Sequence, residues 1–281
     1  MAGDSPAELL DGLDAIVKLA IAEDLGSGDL TGMLVPADRQ ATATIVTRES
    51  CVLCGVPWFE RVFSLLGPGV SFEWHRAEGA KLETNDPVCT LRGPARTLLA
   101  GERTALNFLQ TLSGTATETR RCAEALAGTG TELLDTRKTL PGLRRAQKYA
   151  VRVGGGRNHR IGLFDGILIK ENHIAAAGGV AAAVGTCRKL YPHLRVECEV
   201  ETLAEAEAAV AAGAHMLLLD DFSLADMVAA RRLAPRPIKL EASGSMSIER
   251  LREVAATGVD YISVGAITKH VRAVDLSMRI V

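Results

Sequence analysis

The feature that most constrains this chain is the regular spacing of its apolar runs in the C-terminal half. Short runs of β-branched and aliphatic residues end in a polar residue or glycine, and a helical stretch follows each. The exits are Leu133-Leu134-Asp135, Ile167-Leu168-Ile169-Lys170, Val196-Glu197-Cys198-Glu199, Leu217-Leu218-Leu219-Asp220, Ile238 to Ser243 and Ile262-Ser263-Val264-Gly265. From Glu199 to Asp220 is 21 residues, on to Ser243 another 23, and on to Gly265 another 22. One strand, one turn and one helix of ~10–12 residues fill such an interval, and repeated βα units make right-handed crossovers and a parallel sheet. Six visible strands are fewer than the eight of a closed barrel, so either one strand is weakly written or the barrel is incomplete.

Upstream of about residue 112 the rhythm differs. Pro6 to Asp24 reads as one amphipathic helix, with Leu9, Leu13, Ile16, Val17, Ala20 and Ile21 at helical spacing. Ala41–Thr47 alternates like a strand, and Val70–Trp74 and Val88–Leu91 are strand-like. A helix from Pro94 to about Leu112 follows. These patterns predict an α/β protein in two parts, 1–112 and 113–269.

Composition removes several function classes. The formal charge is −2, which argues against a chain that coats nucleic acid or anionic membrane. Aromatics at 4% leave little for stacking single-stranded bases. No apolar stretch reaches the ~18–20 residues of a membrane span. The N-terminus carries Asp4, Glu8 and Asp11 without a cationic start and apolar run, so no secretory signal is expected. Six irregularly spaced cysteines then read as reduced cytoplasmic thiols. Cys51 and Cys54 form a C-x-x-C, but zinc needs a second ligand pair, and a redox pair needs a strand-to-helix context.

Ligands of parallel α/β sheets sit at the C-terminal strand ends, where Asp135, Lys170, Glu199, Asp220, Ser243 and Gly265 fall. Helix capping could account for Asp135, Asp220 or Ser243 singly, but six such exits in succession point to a site. From Arg137 to Lys170 there are nine cations and one acid, Asp165. A solvated helix face explains Arg144, Arg145, Lys148 and Arg152. It does not explain Arg137-Lys138 beyond a strand end, Asn158-His159-Arg160 in a loop, or Lys170, which looks buried. Such a cluster suits carboxylate or phosphate ligands. Glu199 and Asp220 face the same mouth and could hold Mg²⁺ beside a bound phosphate, or only balance the cations. Gly154-Gly155-Gly156, Ser243-Gly244 and Gly265-Ala266 permit close backbone approach, the last two between a strand and a helix, where free N–H groups suit phosphate. Neither a P-loop nor a dinucleotide fingerprint is present. His75, His193 and His215 read as structural or surface residues. The constellation suits a sugar diphosphate together with a small acid.

At these residues a resemblance becomes specific. Asp135-Thr136-Arg137-Lys138-Thr139-Leu140-Pro141-Gly142, Asn158-His159-Arg160, Lys170-Glu171-Asn172-His173, Glu197-x-Glu199, Leu219-Asp220 and Glu241-Ala242-Ser243-Gly244 resemble quinolinate phosphoribosyltransferase. So do Glu23-Asp24-Leu25-Gly26 and Gly101-Glu102-Arg103-Thr104 upstream. Two departures are Asp221, where the family usually has Asn, and Ser245-Met246, where a second glycine is common.

The resemblance implies an N-terminal α/β sandwich, a tail at 270–281 returning to it, and an incomplete α/β barrel of the type II phosphoribosyltransferase kind. It implies transfer of phosphoribosyl from phosphoribosyl pyrophosphate to quinolinate, giving nicotinate mononucleotide, pyrophosphate and CO₂ in NAD synthesis. It assigns Arg137, Arg160 and Lys170, with Thr136 and His159, to the substrate. Arg103 would come from the partner of a homodimer, which could assemble further. Lys138, Glu199 and Asp220 would serve the pyrophosphate and Mg²⁺ side, the carboxylates binding the metal directly or through water. Ser243, Gly244, Gly265 and Ala266 would cradle phosphate. A relative using nicotinate or another substrate, or a paralogue attached to molybdenum transport, is the nearer alternative. A non-catalytic binding protein is more distant, since it could dispense with Glu199 and Asp220.

Overall fold

The computed structural model describes residues 6–280, so Asp4 lies outside the described residues. The chain divides into two compact units. The first comprises 6–120, 139–155 and 267–280, and the second comprises 121–138 and 156–266. A single cut near residue 112 therefore misses the 139–155 excursion. Its helix, Arg144–Gly154, buries Ala146, Ala150 and Val151 within the first unit.

The first unit is built on a four-stranded antiparallel sheet in the order Leu276–Ile280, Gln40–Thr47, Pro87–Pro94, Ser71–Trp74. The C-terminal strand pairs along Gln40–Thr47, from Ala43 with Ile280 to Thr47 with Leu276. Helix Val56–Leu66 buries Trp58, Phe59, Val62 and Phe63, and Phe59 meets Phe72 and Trp74 edge-on at 6.1 and 5.5 Å. The N-terminal helix is interrupted. Pro6–Leu9 and Leu13–Leu25 are separate because Gly12 adopts a left-handed φ of 78°, which apolar spacing alone does not reveal. The helix expected to stop near Leu112 continues from Ala95 to Ala125.

The second unit contains six parallel strands: β1 (Glu132–Leu134), β2 (Ile167–Ile169), β3 (Val196–Val200), β4 (Met216–Asp220), β5 (Lys239–Ser243) and β6 (Tyr261–Ser263). Their spatial order is β1-β6-β5-β4-β3-β2. Neighbours from β2 to β6 are consecutive in sequence, β1 joins β6, and β1 and β2 do not pair. The sheet is thus an open barrel with a seam between β1 and β2. An extended segment lines the β1 side of this seam. Leu134 bridges to Arg157, the Arg157 N–H donates to the Leu133 carbonyl at 2.8 Å, and the Asp135 N–H donates to the Arg157 carbonyl at 3.1 Å.

Candidate active site

Parallel register fixes the inner face of the barrel. Ser243 pairs with Asp220, Glu241 with Leu218, and Met216 with both Glu197 and Lys239. Side chains alternate along a strand, so Lys239, Glu241 and Ser243 share one face of β5, and Glu197 and Glu199 share one face of β3. Polar residues therefore run from the N-terminal to the C-terminal end of the barrel.

The loop after β1 carries Thr136, Arg137 and Lys138. The Lys138 N–H donates to Thr136 Oγ1 at 3.0 Å. A methyl group at Gly265 would stand 3.2 Å from Lys138 Cδ and 3.4 Å from Thr136 Oγ1, so both side chains pack over the backbone that follows β6. This contact joins the cationic loop to one glycine of the expected phosphate cradle. The other half lies at Ser243-Gly244. Gly244 has φ 128°, and a Cβ there would collide with Asp221 Oδ1. Asp221 itself has φ 52°, a left-handed conformation that Asp shares with Asn, so the departure from Asn leaves the backbone geometry available. As expected, a helix follows each half of the cradle: Ile248–Ala255 after Ser243-Gly244, and the single turn Ala266–Lys269 after Gly265. The Gly154-Gly155-Gly156 run belongs to helix termination instead. Gly155 caps the helix at φ 97°, and a Cβ at Gly154 would collide with the Ala116 carbonyl and Thr119.

Asn158, His159 and Arg160 are held by Asp135, which is fully buried. Asp135 accepts from Asn158 Nδ2 at 2.7 Å and from the His159 N–H at 2.8 Å. His159 Nδ1 accepts from the Arg160 N–H at 2.7 Å, which leaves Nε2 to meet Glu197 Oε2 at 2.9 Å and Glu241 Oε2 at 3.5 Å. Glu197 and Glu241 are buried, and together with His159 they form a polar plug across the barrel interior. Burial, and then the neighbouring Glu197, raise the Glu241 carboxyl well above the usual range, so one proton stays in the plug near neutrality. Asp135 is a strand-exit residue expected at the site, whereas the roles of Glu197 and Glu241 emerge only from the structure. Their signal was a run of acids on apolar strands, each too costly to bury without a partner.

Arg160 Nη1 donates to the Gly166 carbonyl at 3.1 Å. Its pKa is lowered first by burial and then by Arg137, two guanidinium groups held near each other. That repulsion makes an incoming carboxylate favourable. Lys170, which looks buried in sequence, is exposed, and its Nζ contacts Glu199 Oε2 at 2.5 Å. The Lys170 N–H donates to His173 Nδ1 at 3.0 Å, which fixes the start of helix Glu171–Ala177. Glu199, Asp220, Glu171 and Glu205 raise the pKa of Glu201 after desolvation, marking an acidic flank beside the cations. Glu199 and Asp220 are two carboxylates, one engaged by Lys170. This set fits Mg²⁺ that takes its remaining ligands from phosphate and water, as Mg²⁺ commonly does. Arg103 lies in the first unit, exposed on helix Ala95–Ala125. Among the other histidines, His75 Nε2 pairs with Thr90 Oγ1 at 2.9 Å, while His193 and His215 line a cavity described below.

An open parallel barrel that presents clustered cations, carboxylates and glycines at its strand exits defines an α/β-barrel enzyme for anionic substrates. Residues 29–113 match the family pattern "Quinolinate phosphoribosyl transferase, N-terminal domain", and residues 115–279 match its C-terminal domain. The chain belongs to the quinolinate phosphoribosyltransferase family. It is 42% identical over 257 residues to "Probable nicotinate-nucleotide pyrophosphorylase [carboxylating]" of Bacillus subtilis (strain 168), covering 91% of this chain and 89% of that protein. It is 42% identical over 271 residues to "Nicotinate-nucleotide pyrophosphorylase [carboxylating]" of Mycobacterium leprae (strain TN), covering 93% and 95%. The solved nicotinate-nucleotide pyrophosphorylase of Francisella tularensis superposes with a TM-score of 0.93 at 46% identity, over 96% of each chain.

Proposed function

We propose that this chain transfers the phosphoribosyl group of 5-phosphoribosyl 1-pyrophosphate to quinolinate with decarboxylation. The products would be nicotinate mononucleotide, pyrophosphate and CO₂, supplying NAD synthesis. The observation that carries the reading is the pair of neighbouring guanidinium groups, Arg137 and Arg160. Two carboxylates on adjacent carbons of a pyridine ring are the ligand such a cluster favours. A monocarboxylate such as nicotinate would leave one cation unmatched, and the carboxylating relatives at 42% identity favour the dicarboxylate.

The chain's own groups account for the steps as follows. Arg137 and Arg160 hold the quinolinate carboxylates, with Thr136 and His159 close by. Lys170 binds a carboxylate after loosening its contact with Glu199. Lys138, lying over Gly265, neutralises the departing pyrophosphate, while Ser243, Gly244, Gly265 and Ala266 offer backbone to the 5′-phosphate. As the glycosidic bond breaks, the ribose becomes cationic, and Glu199 or Asp220 stabilises it. The pyridine nitrogen donates its electron pair to the sugar carbon. The cationic ring then accepts the electrons left by departing CO₂, and the ring carbon takes up a proton. Mg²⁺ held by Glu199 and Asp220 would supply further neutralisation of the pyrophosphate. Positioning and electrostatics suffice, with no covalent intermediate on the protein.

Arg103 would reach the site from the partner of a homodimer, possible further assembly resting on that dimer. No helix among the described residues is long and apolar enough to cross a membrane, which accords with a cytoplasmic enzyme. Incubation with quinolinate, phosphoribosyl pyrophosphate and Mg²⁺ should release CO₂ stoichiometrically with nicotinate mononucleotide. Turnover of nicotinate and not quinolinate would overturn the assignment.

A further inference from the structure

We infer that the barrel carries a second ligand site at its N-terminal mouth, for a small organic anion with a flat apolar body, of the size and chemistry of a mononucleotide. A cavity of about 660 Å³ opens there, lined by Ile167, Met216, Lys239 and Tyr261, the first residues of β2, β4, β5 and β6. The proposed catalytic residues Lys170, Glu199, Asp220 and Ser243 stand at the opposite ends of their strands. His159 and Arg160, which the proposed reaction places at quinolinate, line the inner wall of the cavity with Glu197, so the cavity borders the proposed substrate site there. The volume lies within the ~300–1,000 Å³ typical of small-molecule sites and far exceeds what a phosphate ion fills.

The charge of the mouth calls for an anion. Lys239, Arg231 and Arg236 all converge on one carboxylate, Asp260, at 2.9, 2.9 and 3.0 Å. Three cations therefore share a single buried negative charge. Arg195 lines the cavity, is exposed, and forms no ion pair among the described residues. The two acids in the wall are already engaged. Asp165 accepts from the Ile161 and Gly162 N–H groups at 2.7 and 2.8 Å, and Glu197 meets His159. His215 Nδ1 accepts from the Val196 N–H at 3.0 Å, so the neutral ring keeps Nε2–H as a donor.

The remainder of the wall is apolar, from Leu194, Met216, Pro237 and Ile238 together with the Tyr261 ring, over which Lys239 Nζ stands at 5.8 Å. An apolar slot beside cations that outnumber their acids recognises neither a bare oxyanion nor a neutral ring as well as a molecule that joins the two.

The test is calorimetric titration of the full-length protein with AMP, adenosine and inorganic phosphate. AMP should bind saturably, with adenosine and phosphate each about tenfold weaker or worse. Arg195→Glu, which reverses the mouth charge, and Leu194→Trp, which fills the slot, should each weaken AMP by about tenfold or more. Both positions are exposed, and circular dichroism checks that each variant is folded. Lys170→Ala, at the far end of the barrel, should leave AMP binding unchanged. The inference is overturned if AMP does not saturate, if adenosine binds as tightly as AMP, or if binding survives both mouth variants. None of these readouts depends on quinolinate turnover, so failure here leaves the proposed reaction standing.

Discussion

Replacing Glu241 by Gln would test whether the barrel interior stores a proton. Glu241 is 1% exposed, and burial, then Glu197, push its carboxyl from an ordinary 4.5 up to about 8, against the opposing pull of His159 and Ser263. A raised folded-state pKa means that the stabilisation is complete below the unfolded value and is lost as pH climbs towards about 8. Spread over that interval at ~1.4 kcal/mol per pH unit, the loss is on the order of 5 kcal/mol. Gln keeps the shape and the hydrogen bonds of the protonated acid but cannot ionise. Urea unfolding of wild type and Glu241→Gln, compared from about pH 5 to about pH 8, isolates Glu241 with the Glu197 and His159 that contact it, because titrations away from the plug are common to both proteins. The variant should gain on the wild type steadily as pH rises, by several kcal/mol across the series. Parallel stability curves would refute the reasoning, since they would mean that Glu241 ionises at the same pH folded and unfolded.

Other substitutions separate the roles at the strand exits. Lys138→Ala should mainly lower kcat, because the pyrophosphate charge grows in the transition state, whereas Arg160→Ala should mainly raise the quinolinate KM; identical steady-state profiles would count against the division. Asp135→Asn turns an amide towards Asn158 Nδ2 or the His159 N–H and should cost about 1–3 kcal/mol in stability, with a raised quinolinate KM, while unchanged thermal unfolding would remove Asp135 from its positioning role. Glu199→Gln and Asp220→Asn should each raise the Mg²⁺ concentration needed for half activity, and full activity in excess chelator would exclude the metal. Co-expressed Arg103→Ala and Lys170→Ala subunits should recover about a quarter of the sites if Arg103 acts across a dimer, and none if it acts within its own chain.

How much of this was legible beforehand depends on range. The six barrel strands followed from spacing, because each βα unit is local and its apolar run is self-contained. Counting six strands left open whether a strand was weakly written or the barrel incomplete, and the absence of pairing between β1 and β2 decides for the open barrel. The interruption at Gly12 was hidden, since the apolar spacing on either side continues a single helix in register. The placement of 139–155 was hidden because helix Arg144–Gly154 has a cationic face that suits either unit, and its partners lie far away in sequence. Among site residues, charges on loops were conspicuous: Arg137, Lys138, Arg160. Glu197 and Glu241 were not, because a buried acid declares its purpose only through its partners, and His159 and Ser263 come from two distant segments. The strand-to-helix setting of Gly265-Ala266 was legible, but the side chains that pack over it were not. Gly265 opens the single-turn helix Ala266–Lys269 and also leaves room for Lys138 and Thr136, which come from a distant loop.

The pairing of Leu276–Ile280 with Gln40–Thr47 sets the order in which the molecule can be finished. That edge of the first unit's sheet remains an unpaired template until the final strand emerges from the ribosome, by which time every strand of the barrel has been made. The first unit is thus begun first and completed last, with the barrel threaded through its interval, and its closure carries the loop-closure cost of almost the whole chain. During synthesis the strand Gln40–Thr47 has one vacant ladder that any other extended segment could occupy, which makes premature release or C-terminal trimming a route to mispairing between molecules.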